Sequence, residues 1–409
     1  MIREAEMTAA APTQVPARHP SSPRRVPPGI KMVSRFLRLP EPTPAEFRRF
    51  GELLTVGDEQ MDQLVDWIYE DRDARKPLFE RALNDGIATV PEAPSEIREF
   101  FEEMETIPDW VDWDKILLGG QLMRSGGADG FSVARDVALM GGYLFSGFNQ
   151  TLLRTGALEK GSNKRFAETS QWALDVIVPD GLRPGGVGYR STLHVRFIHS
   201  MVRRHVTAMP DWDSEAHGLP INQTDMAATL VGALIAPVAT GMGLGMLAAP
   251  REYEAAAHLT RYVGRLMGVH DDFLPHSYRD SLRILFQTSR ALSTPDETSR
   301  ALAQPMADDP MAWNYRHLSG IRRRIARSQH LSIATAYLGT AAMKELGVPS
   351  ALPWYPALRI PYHLVESVFN QLPGGRERAA RRGDVSQARF MRTLGEDADI
   401  GHSAQHVTS

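Results

Sequence analysis

From Pro44 to Leu372 the apolar residues recur three to four positions apart, and no convincing run of alternating strand residues appears. A chain patterned in this way can bury its apolar stripes only by packing helix on helix, so the expected fold is all-α. The clearest helices read over 47–69, 96–105, 131–154, 164–178, 190–208, 253–267, 277–292, 320–346 and 358–372. Capping residues support several starts, among them Ser162 and Asn163 before Lys164 and the Pro-Ala-Glu opening at Pro44. There is no fixed-period repeat and no linker in mid-chain, which predicts one large helical domain over 44–373. Before it, 1–43 reads as a disordered or loosely packed arm in which prolines recur without apolar periodicity. After it, 374–409 reads as a polar tail with at most one short helix.

The 409 residues are 43% hydrophobic, enough for a sizeable core. A net charge of -3 offers no electrostatic reason to expect nucleic acid or an anionic membrane as partner. Cysteine is absent, which excludes disulfides, Cys-ligated zinc, iron–sulfur clusters and thiolate-ligated haem. Any metal must be held by His, Asp, Glu or Tyr. The first residues carry no apolar core of a secretory signal, and Arg24-Arg25 is followed by Val-Pro-Pro-Gly, so a cytoplasmic location is expected.

The uncharged stretch from Met226 to Pro250 is long enough to span a membrane. Pro237 in its middle, Gly241, Gly243 and Gly245, and the lack of basic or aromatic flanks favour two buried helices, 225–235 and 238–248, and no stable membrane insertion. The Gly-x-Gly-x-Gly run follows no strand and is no dinucleotide fingerprint. His270, Asp271, Asp272 and His276 are near one another but at no standard metal spacing; they read as a solvated loop, with an Asp capping the helix after Pro275.

Two helices carry candidate chemistry. In GYRSTLHVRFIHSMVRRH, Gly188 to His205, helical spacing puts Arg196, His199 and Arg203 on one polar stripe. Two readings stand: a hydrogen-bonded boundary histidine between solvated arginines, or a metal-bound imidazole whose arginines meet anionic groups such as haem propionates. In NKRFAETSQWALDV, Asn163 to Val176, the residues Arg165, Glu168, Thr169 and Trp172 share a face. That face is either a pocket wall or an ion pair above a packed indole.

RFAET at 165–169, LHVRFIHSMVRRH at 193–205, GLPINQTDMAATL at 218–230 and RYVGRLMGVHDDFLP at 261–275 together resemble the family of latex-clearing protein, a rubber oxygenase, and the fungal oxygenases of mycophenolic acid biosynthesis. The likeness implies a globin-like helical core holding haem b, with His199 as the proximal metal ligand. Arg196 and Arg203 would then brace the site or its propionates, and Asp225 would accept from the imidazole or cap its helix. The family places the residues matching Arg165 and Thr169 at the haem pocket. It also implies a small apolar substrate and dioxygen as partners.

The chain departs from that pattern at two places. Rubber-cleaving members have a lysine where this chain has Glu168, and a distal glutamate on the preceding helix, where Asn149 and Gln150 are the nearest polar residues here. A lysine holds an anion that a glutamate repels, so polyisoprene is a poor substrate guess. The expectation is a haem b-dependent oxygenase of an apolar unsaturated small molecule, with Glu168 as the distal base, Arg165 modulating it and Asn149 bonding oxygen or substrate. The alternatives are a non-catalytic haem- or lipophile-binding protein and a family member with a non-haem metal.

Overall fold

A computed structural model of the protein describes residues 15–26, 28–156 and 161–395. The described residues are helical, without a strand. In chain order the helices are α1 (Pro28–Phe36), α2 (Pro44–Glu52), α3 (Glu59–Glu70), α4 (Arg72–Asp85), α5 (Ser95–Glu105), α6 (Trp113–Ser125), α7 (Gly127–Val133), α8 (Met140–Gly142), α9 (Ser146–Arg154) and α10 (Ser162–Ile177). They continue as α11 (Val187–Thr207), α12 (Ser214–His217), α13 (Gln223–Leu234), α14 (Ala236–Gly243), α15 (Pro250–Leu266), α16 (Tyr278–Ala291), α17 (Glu297–Asp308), α18 (Ser319–Glu345), α19 (Trp354–Asn370) and α20 (Gly375–Leu394). A π-helical turn, Ala134–Leu139, joins α7 to α8.

The main core gathers apolar faces of α3, α4, α5, α10, α11, α13 and α15. At its centre Phe79 stacks on Phe197 at 4.5 Å between ring centroids, with Phe101 tilted beside Phe79 at 5.2 Å. Around α6 the packing is backbone on backbone. A Cβ on Gly119 would lie 2.5 Å from the Ala255 carbonyl oxygen, and one on Gly383 would lie 1.9 Å from that of Arg124. These glycines let α15 and α20 approach α6 closely.

The stretch from Gln223 to Gly243 passes the length and composition test for a membrane span. It is two helices, broken at Ile235 ahead of Pro237, and Met226, Leu230, Val231 and Leu234 are core side chains. The pair of helices expected there is present, shifted by a few residues at its ends.

Three expectations change. The arm expected over 1–43 is packed from residue 15 onward. Arg18 forms an ion pair with Asp225 at 2.7 Å, both side chains being buried, and α1 follows; residues 1–14 lie outside the described residues. The tail expected from 374 is largely a 20-residue helix, α20, held to α6 by Arg124 with Asp384; 396–409 lie outside the description. The single helix expected over 131–154 is broken into α7, the π turn, α8 and α9, because the widened turn accommodates Arg135 and Asp136 in the interior.

Candidate functional site

α10 and α11 run antiparallel and define one wall. A Cβ on Gly188 would meet the Asp175 carbonyl oxygen at 2.4 Å, and Trp172 Nε1 donates to Thr192 Oγ1 at 3.1 Å. Carried onward, that register sets Val195 level with Thr169 and His199 level with Arg165.

The His199 Nδ1 is enclosed and has no hydrogen-bond partner. The ring as a whole keeps some accessible surface, and Nε2 is neither enclosed nor bonded, so Nε2 is the nitrogen that meets open space. Burial lowers the pKa of His199 to about 4; the Arg203 charge adds to the shift and the Asp58 carboxylate opposes it. At neutral pH the imidazole is therefore uncharged and has a free lone pair. Its neighbours Val195 and Ile198, like Arg165 and Glu168 on the adjoining α10, are also partly exposed. Thr169 and Thr229, each in mid-helix, are exposed. A Cβ on Gly142 or Gly232 would meet no heavy atom within 4 Å. These positions on α8, α10 and α13 are open, while other faces of α10 and α13 belong to the core. The residues present fit a haem at His199 Nε2, apart from the acceptor that a ligating histidine ordinarily has at its other nitrogen.

The two arginines of the stripe are committed elsewhere. Arg196 donates to Asp58 through Nε at 2.6 Å and Nη2 at 2.8 Å, and to Gln60 at 3.0 Å. Arg203 pairs with Asp62, which also accepts from Ser200 at 2.6 Å. The Arg196, Ser200 and Arg203 stripe faces α3, so the expected propionate role is corrected to a clamp between helices. Asp225 does not cap α13: Asn222 does, accepting from the Asp225 N–H at 3.0 Å. The Asp225 Oδ2 accepts from Asn222 and Arg18, and its Oδ1 is buried without a partner.

On α10 Arg165 donates to the hydroxyl of Tyr143, and Asn149 Nδ2 donates to the Tyr143 carbonyl at 3.0 Å and to Ser299 Oγ at 3.4 Å. Asn149 is fully buried, so it positions Tyr143 and does not face an open pocket. Tyr143 thus ties two expected residues together, and sequence reasoning missed it. Burial raises its pKa, and the Arg165 charge opposes that shift.

Beneath Tyr143 lies a charged layer that sequence reasoning also missed. Arg135 and Asp136, both fully enclosed, pair at 2.8 Å; Arg135 reaches Asp309 at 3.3 Å, and Asp136 bonds His330 Nδ1. The signal was available: an Arg-Asp pair inside the apolar run FSVARDVALM. Among the described residues no group of three His, Asp or Glu could hold a metal ion. At the 270–276 loop Asp272 pairs with Arg49, and Ser277, not an aspartate, caps α16.

The wall, the π turn and α13 lie inside a stretch that comparison identifies. Residues 131–368 match the family profile described as ER-bound oxygenase mpaB/B'/Rubber oxygenase, catalytic domain. The chain belongs to this family. It is 25% identical over 194 residues to the Rubber oxygenase of Streptomyces sp. (strain K30), covering 45% of this chain and 46% of that one. The chain thus spans about half the length of that curated relative. Latex clearing protein in its closed state shares the fold with a TM-score of 0.59 and 18% identity, over 81% of this chain and 91% of that chain. The mpaB/rubber oxygenase domain begins at Phe131, just ahead of Arg135 and Asp136, and includes His199 and Tyr143. Helices α1 to α6 and α20 lie outside it.

Proposed function

We propose that the protein is a haem b-dependent oxygenase acting on a small or medium apolar, unsaturated molecule with dioxygen. Family membership supports the oxygenase class. The observation that carries the cofactor reading is the neutral imidazole of His199, with Nε2 unbonded and facing open space. When bound, haem would supply iron redox chemistry for activating dioxygen.

This chain's own residues have defined tasks in the reading. His199 holds the cofactor through Nε2 on a helix that Arg196 and Arg203 lock to α3. Tyr143 fixes the guanidinium of Arg165 beside Glu168, and Asn149 fixes Tyr143 from behind. Glu168 is the group that takes up or delivers a proton at its carboxylate, with Thr169 lining the space for substrate. The role expected of Asn149 toward oxygen thus passes to Arg165 and Tyr143. The cytoplasmic location read from the sequence belongs to the same proposal.

The test is the absorption spectrum of the purified or haem-reconstituted protein beside that of His199→Ala. A Soret band present in the first and lost in the second is expected; no haem uptake by the wild type overturns the cofactor assignment. Oxygen consumption with apolar alkenes then separates an oxygenase from a haem or lipophile carrier. Glu168→Gln should slow turnover about a hundredfold or more with haem retained, roughly the least a positioned acid–base group contributes.

A further inference from the structure

Helix α19 is amphipathic the wrong way round. Its inward side carries polar groups: His363 Nε2 bonds Asp129 at 2.8 Å, and Ser367 Oγ donates to the Gly245 carbonyl at 2.9 Å while accepting from the Leu247 N–H at 2.8 Å. Its outward side is apolar without interruption over about 160° of arc, at 3.6 residues per turn. Leu358, Tyr362, Val365, Val368 and Phe369 are 47–67% exposed there. At about 1.5 Å per residue the stripe from Leu358 to Phe369 runs ~17 Å. An apolar face of this length on a soluble helix calls for an occupant.

The neighbouring helix supplies the charge. The exposed side of α20 carries Arg378, Arg381, Arg382, Arg389 and Arg392 against the single acid Glu377. Arg378, Arg389 and Arg392 have no carboxylate partner among the described residues, whereas Arg382 reaches Glu366 of α19 at 3.4 Å, joining the basic face to the edge of the apolar stripe. The net charge of -3 conceals this asymmetry.

We propose that α19 and α20 form a peripheral docking face for an anionic lipid bilayer, with the α19 stripe sunk among the acyl chains and the α20 arginines at the headgroups. An apolar helix face beside a basic one is the composition that binds such an interface. A second copy fits less well, because a two-fold pairing of α19 stripes brings the two arginine faces toward each other. The chain's own ends offer little cover: 396–409 has Ile400 and Val407 as its only large aliphatic residues, and 1–14 has Met1, Ile2 and Met7. The face lies on the surface, apart from His199, and the proposal stands independently of the cofactor.

The experiment is co-sedimentation of the full chain with vesicles of phosphatidylcholine alone or mixed with phosphatidylglycerol, together with its sedimentation velocity in solution. Expected is binding to the mixed vesicles at least tenfold tighter than to the neutral ones, and a monomer in solution. The combined variant Leu358→Ser/Val365→Ser/Phe369→Ser should weaken vesicle binding at least about a hundredfold, each exposed side chain contributing roughly tenfold when buried in lipid. Arg378→Glu/Arg389→Glu/Arg392→Glu should weaken it at least tenfold. All six positions are exposed, and unchanged circular dichroism confirms the fold. Failure of the wild type to bind either vesicle, binding indifferent to both variants, or a wild-type dimer that the serine variant dissociates overturns the proposal.

Discussion

The proton affinity of His199 makes a quantitative demand on the cofactor-free protein. Burial sets its pKa at about 4 in the fold against 6.5 for an unperturbed histidine. As pH falls through 6.5 the unfolded chain takes up a proton that the folded chain refuses until about 4, so the fold loses stability across that window. At roughly 1.4 kcal/mol per pH unit of separation the full loss is about 3 kcal/mol, reached below pH 4. By pH 5 about 2 kcal/mol of it is gone. Other half-buried histidines, His19, His217 and His258, are shifted in the same direction and form a background. The assay is therefore a comparison: urea unfolding of the haem-free wild type and of His199→Gln at pH 8 and pH 5. The wild type should lose about 2 kcal/mol more than the variant between the two. Equal losses would mean that the imidazole is solvated or paired, and the argument for a neutral, unpartnered ligand would collapse with it.

Arg196→Leu leaves Asp58 buried without its cation and should cost about 3–5 kcal/mol by chemical denaturation, while the Soret position of the haem-loaded protein stays unchanged; a shifted Soret would return Arg196 to the cofactor. Gly232→Ala, inside α13 with free space at its Cβ, should stabilise the haem-free fold by about 0.5–1 kcal/mol, whereas Gly232→Phe should keep the fold and lower haem uptake in a titration. Asn149→Asp turns a donor to the Tyr143 carbonyl into a buried carboxylate facing it, so it should cost about 3 kcal/mol or more at pH 8. Since burial raises that carboxyl's pKa and the protonated acid can donate, less should be lost at pH 5; equal cost at both pH values would refute this geometry.

The fold class was legible because helix periodicity is a local property, and local spacing survived even in α13 and α14, where hydropathy alone suggested a membrane span. The ends were misread for the reverse reason. Residues 15–26 are ordered by long-range contacts, among them Arg18 with Asp225 and the backbone of Ala17, Arg18 and Arg24 with Glu215, Ala216 and Arg290, and α20 by glycine contact and the Arg124–Asp384 pair with α6, none of which leaves a periodic trace in its own segment. His199 was legible as a candidate, but the partners of its stripe were not. A helical wheel gives the angle at which Arg196 and Arg203 leave α11; it does not reveal that the helix they face, α3, presents Asp58 and Asp62 there.

The same limit bears on what the distal side can do. On the helix where the family resemblance led to the expectation of a distal glutamate, Asn149 has its amide bonded to Tyr143 and Ser299 inside a sealed contact. A carboxylate restored there would face a carbonyl oxygen and would not regain a catalytic base, so the asparagine is built into the packing of α9 against Tyr143 and α17. The only carboxylate of RFAET, Glu168, sits one turn from Arg165, whose guanidinium Tyr143 already orients. Glu168, by contrast, lies on the partly exposed wall that also carries His199. Glu168→Lys should therefore slow oxygen consumption with apolar alkenes at least as much as Glu168→Gln does, because it removes the acid of that wall without opening the position that Asn149 seals; turnover equal to wild type would refute the role of Glu168.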